Sequence, residues 1–253
     1  MNLKTIILDC LFPIECLGCR RDNIWLCPTC FKKLKFKTTQ ICLACQSATP
    51  HGEFCSKCRD FYNLEGIFTA GDYDDPLLAD LIKKFKFYGL KDLALVLSEF
   101  LLAALANQNS PWPEFLKIIL PRLATTGRNN FWFDFFKSEP LIIPLPLSRK
   151  RLNWRGYNQA ELLAQAVAAK LNKIEMATNL IKTKDTATQS SLKEAERLIN
   201  LNNCFAWTGV NLKKQNIILI DDVSTTGTSL NEAARVLRAV GAGKIWGLVL
   251  AKG

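Results

Sequence analysis

NIILIDDVSTTGTSL, running from Asn216 to Leu230, is the stretch whose reading decides the fold. Ile217, Ile218, Leu219 and Ile220 make a short, largely β-branched apolar run, the pattern of a strand buried on both faces. Asp221 and Asp222 stand where that strand is expected to end. Ser224, Thr225, Thr226, Gly227, Thr228 and Ser229 follow, small hydroxyl residues around one glycine. From Leu230 the spacing becomes helical: Leu230, Ala233, Ala234, Leu237 and Val240 share a face, and Gly241 supplies the stop. Ile245 to Leu250 is a second apolar run, which completes a strand–loop–helix–strand unit.

The order of these parts carries chemistry. A loop entering a helix N-terminus presents unpaired backbone N–H groups and the positive end of the helix dipole, which together hold a phosphate. The Ser and Thr hydroxyls add donors, and Gly227 lets the backbone approach an anion closely. Two carboxylates suit a phosphate poorly, but they accept hydrogen bonds from sugar hydroxyls well. A ribose 5-phosphate satisfies both halves. A plain turn whose Asp and Thr side chains merely cap the helix is the competing reading, and the joint occurrence of acidic pair and hydroxyl loop weighs against it.

The cysteines bound the N-terminal part. Of the ten, eight form four C-x-x-C pairs: Cys16/Cys19, Cys27/Cys30, Cys42/Cys45 and Cys55/Cys58. Seven residues separate Cys19 from Cys27 and nine separate Cys45 from Cys55, gaps that suit a small hairpin with one knuckle at each end. The expectation is a double zinc ribbon over residues 10–60 holding two structural Zn²⁺. Sequence-adjacent knuckles are favoured over a cross-braced set because each short loop closes at lower entropic cost. A disulfide scaffold would need an oxidising compartment, and the N-terminus is too poor in apolar residues for a signal peptide. A cytoplasmic location is expected, with no membrane span. His51 is read as an exposed loop residue, and Cys10 and Cys204 as small buried hydrophobes.

The chain's formal charge is +10. Two four-cysteine zinc sites would each contribute about −2 and bring the balance to roughly +6. Residues 1–60 carry nine basic and five acidic side chains, so the excess that remains belongs to the rest of the chain, where acidic partners are to be sought. Residues 61–253 read as an α/β domain, a parallel sheet flanked by helices. Gly66 to Tyr73 is a candidate strand, Asp75 to Phe87 and Lys91 to Asn107 are candidate helices, and Leu141–Ile143 is a further strand. Lys83, Lys84 and Lys86 form either a solvated helix end or an anion site. After the Leu141 strand come Ser148 and four basic residues, Arg149, Lys150, Arg151 and Arg155, a concentrated anion site at the sheet's carboxyl edge. Asn158 to Leu171 reads as a helix and Thr183 to Asn203 as a mobile flap. Residues 108–139 read as an insertion, whose Phe131–Phe136 aromatics either dock on the chain's own core or a second subunit, or stack on single-stranded bases.

IDDVSTTGTS resembles the ribose-5-phosphate loop of the phosphoribosyltransferases, which use phosphoribosyl pyrophosphate (PRPP). The resemblance implies that Asp221 and Asp222 hold the ribose 2′ and 3′ hydroxyls, that Thr225 to Ser229 cradle the 5′-phosphate, that Ser148, Arg149, Lys150, Arg151 and Arg155 bind the pyrophosphate, and that Mg²⁺ accompanies PRPP. Thr225 stands where hypoxanthine-type members carry a carboxylate base, so no catalytic residue is carried over. LNWRGYNQAELLAQAVA (Leu152 to Ala168), the four C-x-x-C pairs and the spaced Thr186, Gln189, Leu192, Arg197, Asn200 and Phe205 narrow the likeness to the ComF family. That resemblance implies a phosphoribosyltransferase-like fold behind the zinc ribbon and association with natural transformation. It further implies single-stranded DNA as a partner, beside a second copy of the chain or other competence proteins. Three functions follow as alternatives: a DNA-handling protein with a PRPP site, an active Mg²⁺-dependent phosphoribosyltransferase, or a zinc-ribbon interaction module.

Overall fold

A computed structural model describes residues 14–106, 131–171, 174–184 and 203–253. Cys10, residues 108–130 of the expected insertion, and the flap positions Thr186, Gln189, Leu192, Arg197 and Asn200 lie outside the described residues. In chain order the elements are α1 (Pro28–Phe31), β1 (Gly66–Asp72), α2 (Pro76–Phe87), α3 (Leu93–Leu105), α4 (Phe131–Lys137) and β2 (Leu141–Pro144). They continue with α5 (Arg149–Arg155), α6 (Gln159–Lys170), β3 (Leu180–Lys182), β4 (Phe205–Trp207), β5 (Ile217–Ser224), α7 (Thr228–Ala239) and β6 (Ile245–Lys252). β1, β6, β5 and β2 form a four-stranded sheet in that order with every pairing parallel, and β3 and β4 form a small antiparallel ribbon. The α/β architecture is the one expected from the alternation of apolar runs and helical periods.

Alternation along each strand divides the core in two. Phe68, Ala70, Ile142, Ile218, Ile220, Trp246 and Leu248 point to one face, where they meet α2, α3, α4 and α6. Ile67, Ile143, Ile217, Leu219, Ile245 and Val249 point to the other, where they meet α7 and the β3–β4 ribbon. Both faces are covered, which is why the strands read as continuous apolar runs. Helix starts are set by side-chain caps. Asp75 accepts from the N–H of Leu77 at 2.9 Å and of Leu78 at 3.2 Å ahead of Pro76, and Asn158 accepts from the N–H of Ala160 at 3.1 Å. Glu99, the acid inside the most apolar helix, pairs with Lys170 of α6 at 2.8 Å. Among the described residues no helix is long and apolar enough to cross a membrane.

The cysteine-rich segments are built into this core. Cys16, Cys27, Cys30, Phe31 and Leu34 join the first face beside Leu78 and Phe100, and Cys42, Leu43 and Phe54 join the second beside Ile67 and Leu230. Each face of the sheet is thereby extended by one cysteine cluster. The backbone N–H of Lys35 donates to Asp75 at 3.0 Å, and Gln40 clasps Thr69 through both its amide oxygen and nitrogen.

One open alternative is decided in favour of core docking, and one expectation changes. Trp132 and Phe135 are buried, and Trp132 packs edge-on against Phe68 and Trp246, so these aromatics fill the chain's own core and are not available to stack on bases. Strand β5 does not stop before the acidic pair: it runs through Asp221 and Asp222 to Ser224, because β6 extends to Lys252 and supplies partners that far. Cys204 is fully buried as expected, whereas His51 is half-buried and stacks on Phe131 at 4.5 Å between ring centroids.

Candidate functional site

A cleft of about 910 Å³ opens at the carboxyl ends of β2 and β5. Asp221 to Leu230 line it, together with Ser148, Lys150, Arg151 and Arg155 of the β2–α5 segment. The two candidate sites, separated by about seventy positions in the chain, therefore meet in one cavity, at the carboxyl edge where open α/β sheets bind ligands. Arg149 is an exception: it is exposed and does not line the cleft. Residues 149–155 are helical, so Lys150, Arg151, Trp154 and Arg155 share one face while Arg149 falls off it.

The turn from β5 into α7 is fixed by Gly227. Its φ of +75° is left-handed, and a Cβ there would meet Cδ1 of the buried Ile67 at 2.6 Å. This conformation starts α7 at Thr228, with a glycine that makes no side-chain cap at the N-cap position and no acid in the first turn. The hydroxyls of Thr226 and Thr228 are 2.7 Å apart. Behind the loop, Asn231 Oδ1 accepts from the N–H of Asn63 at 2.6 Å, and Arg238 donates to the carbonyl of Asn63 at 3.1 Å and to Glu65 at 2.7 Å. The end of the second cysteine-rich segment thus braces the helix that carries the loop.

The acidic pair is not symmetric. Asp222 is almost wholly buried, pairs with Lys86 of α2 at 3.0 Å and accepts from the N–H of Val223 at 2.7 Å through Oδ1. Its Oδ2 is buried and has no hydrogen-bond partner among the described residues, an acceptor that a ligand hydroxyl would satisfy. Asp221 accepts from the N–H of Asp222 at 2.8 Å. Burial pushes the Asp221 carboxyl up to about 8, the neighbouring Asp222 carboxylate pushes the same way, and Lys86 opposes both. Arg155 lies close enough to feel both acids. Burial holds its guanidinium below the usual range and the acids work in the other direction. That guanidinium rests over the Phe87 ring at 5.2 Å and donates to Gln159.

Lys86, Phe87, Trp154, Gln159, Lys182 and Phe205 also line the cleft. Among these, Lys86 reads in the sequence only as part of a basic helix end. A lysine at a helix C-terminus has an electrostatic reason to be there without a ligand, so nothing in the sequence separates it from Lys83 and Lys84.

The cysteines form two clusters, Cys16/Cys19/Cys27/Cys30 and Cys42/Cys45/Cys55/Cys58, each with its sulfurs within 4.8 Å of one another. This is the sequence-adjacent arrangement. The N–H of Cys27 donates to the Cys16 sulfur at 3.3 Å. Burial opposes ionisation of Cys16, yet the N–H groups of Cys27, Gly18 and Cys19 outweigh it and bring the thiol down to about 6. Cys30 is pushed up to about 12 by burial and by the surrounding sulfurs. Cys45 and Cys58 repeat the split, at about 6 and about 12. Four thiolates in one such cluster require a cation, and four cysteine sulfurs are the donor set of structural Zn²⁺. The two four-cysteine clusters fit two structural zinc ions.

A double zinc ribbon ahead of a phosphoribosyltransferase-type α/β domain is the class that fold and cleft define. The family models agree: residues 7–59 match the double zinc ribbon domain and residues 158–252 the phosphoribosyl transferase domain. The chain is 32% identical to competence protein F of Haemophilus influenzae over 95% of its own length and 98% of the relative's. It is 29% identical to competence protein ComFC of Bacillus subtilis, covering 84% of this chain and 77% of that one. With the DNA utilization protein YhgH of Escherichia coli it shares 28% identity over 87% of each. The chain belongs to the competence protein F family.

Proposed function

We propose that the cleft binds PRPP or a closely related ribose 5-phosphate, and that the protein uses this site while handling single-stranded DNA in natural transformation, in the cytoplasm. The observation that carries the ligand is the meeting, in one cavity, of the helix start at Thr228, the acidic pair, and the Arg151 and Arg155 cations. In this reading the amides and hydroxyls of Thr225 to Ser229 take the 5′-phosphate. Asp221 and Asp222 accept from the ribose hydroxyls, and the free Oδ2 of Asp222 supplies one acceptor. Ser148, Lys150, Arg151 and Arg155 face the pyrophosphate, with Mg²⁺ as its counter-ion. The DNA role is supported by the relatives' names and by the basic excess outside the cysteine-rich segment.

A second reading, an active phosphoribosyltransferase, is favoured by one specific feature: cations line the same cleft as the ribose acids, where a departing pyrophosphate would gather charge. Calorimetric titration with PRPP, with and without Mg²⁺, followed by an assay for released pyrophosphate, separates the two. Saturable binding without release supports the binding role, release in the presence of an acceptor supports the transferase, and no heat at millimolar PRPP removes the ligand from both.

A further inference from the structure

We propose that the mouth of the cleft is a stacking platform for the bases of a single strand, built by Trp154 of α5 and Phe87 at the end of α2; the inference rests on the DNA-handling reading above. Among the described residues most large apolar side chains are buried, but Trp154 is 70% and Phe87 54% exposed, and their rings lie 6.0 Å apart although they come from segments far apart in sequence. Both line the same cleft as the acidic pair and the hydroxyl loop, so they stand at its rim, one side toward the cavity and the other toward solvent. Tyr88, the next residue in the chain, is 70% exposed.

Cations are interleaved with these rings. Arg155 supports Phe87 from one face, and Lys84 sits 5.1 Å from the centre of the Tyr88 ring. Lys83, Lys150 and Arg151 are exposed on the same two helices. Aromatic faces alternating with positive charge are the recognition chemistry of single-stranded nucleic acid, in which bases stack irrespective of sequence and phosphates pair with Lys and Arg. A duplex keeps its base faces stacked on one another and offers none to Trp154. A free base would gain little from a site open to solvent on one side, whereas a polymer can lay one base on the rim while its backbone follows the cations outside. The aromatic cluster singled out in the sequence, around Trp132, is in the core; among the described residues the large aromatic rings left exposed are Phe87, Tyr88, Trp154 and, away from the cleft lining, Phe61.

The test uses the full-length zinc-loaded protein and fluorescence anisotropy at about 150 mM salt. It compares a labelled oligothymidylate with an oligomer of the same length and charge whose sugars are abasic. The wild type is expected to bind the thymidylate at least about tenfold more tightly, a ratio within the range of one stacked base. Trp154→Ala should bring the two affinities together while leaving the abasic affinity unchanged, and Trp154→Phe should keep part of the difference. Because Trp154 is largely exposed, the variant's unfolding midpoint should match the wild type's. Equal affinity of the wild type for both oligomers, or an unchanged ratio in Trp154→Ala, overturns the platform while the DNA reading stands. Binding of neither oligomer overturns the DNA reading and the platform with it.

Discussion

Replacing Gly227 by Ala tests how the loop is held. Two costs can be separated. At φ +75° an alanine is strained by about 1–2 kcal/mol relative to glycine. Its Cβ would also fall 2.6 Å from Ile67 Cδ1, and Ile67 is 1% exposed, so the core must shift to admit it, at about 1–3 kcal/mol. Gly227→Ala should therefore destabilise the folded chain by roughly 2–5 kcal/mol in urea unfolding of zinc-loaded protein, and weaken ribose 5-phosphate binding by displacing the loop. Ile67→Val removes the colliding methyl and alone should cost about 0.5–1.5 kcal/mol. The double variant should then be more stable than the sum of the two single losses predicts, by about 1 kcal/mol or more. Strict additivity would refute the inference that Ile67 packs beneath the loop and shapes it.

Elemental analysis should find two zinc ions per chain, and chelation should unfold the sheet together with the ribbons, since Cys16, Cys27 and Cys30 sit among Leu78 and Phe100; one zinc or none, or a metal-free chain with an intact core, counts against this. Above about pH 8, where Asp221 is ionised, Asp221→Asn combined with Asp222→Asn should weaken ribose 5-phosphate binding by roughly 3–6 kcal/mol, at about 1.5–3 for each charge-assisted hydrogen bond, and an unchanged dissociation constant in calorimetry would place the sugar elsewhere. Asp221 also predicts a pH dependence. Its carboxyl is raised to about 8 in the folded state from an ordinary value near 4, so the stability it contributes is complete below about pH 4 and lost as pH rises through about 8. Asp221→Asn should accordingly gain on the wild type in unfolding free energy between about pH 5 and 8, by no more than about 5 kcal/mol at roughly 1.4 per pH unit; parallel stability curves would contradict the shift. Ribose binding to the wild type should strengthen over the same range, because an ionised Asp221 is the better acceptor.

Much of this is legible from local pattern. Four C-x-x-C pairs fix their own chemistry because metal ligation depends on spacing within a few residues, and the adjacent pairing follows from loop closure. The β5–α7 turn is legible because its strand run, its glycine and its helical period are contiguous. What escapes depends on neighbours distant in sequence. The end of β5 is set by how far β6 extends, so Asp221 and Asp222 are strand residues, not loop residues. The separation of Arg149 from Arg151 and Arg155 requires knowing that the segment is helical. Lys86 becomes part of the site only because α2 packs with its last turn against Asp222. The exposure of Trp154 and the burial of Trp132 cannot be told apart by composition: both are tryptophans near basic residues, and only the packing of α4 on Phe68 and Trp246 distinguishes them.

The cleft is proposed to take a phosphate at the start of α7 and the sugar's hydroxyls at the acidic pair, and a crystal structure with ribose 5-phosphate soaked in tests this most directly. The phosphate is expected against the backbone N–H groups of Thr225 to Ser229, with two ribose hydroxyls in hydrogen-bonding reach of Asp221 and Asp222. A sugar phosphate bound in the opposite sense, its phosphate on Arg151 and Arg155 and its hydroxyls away from the acids, would contradict it.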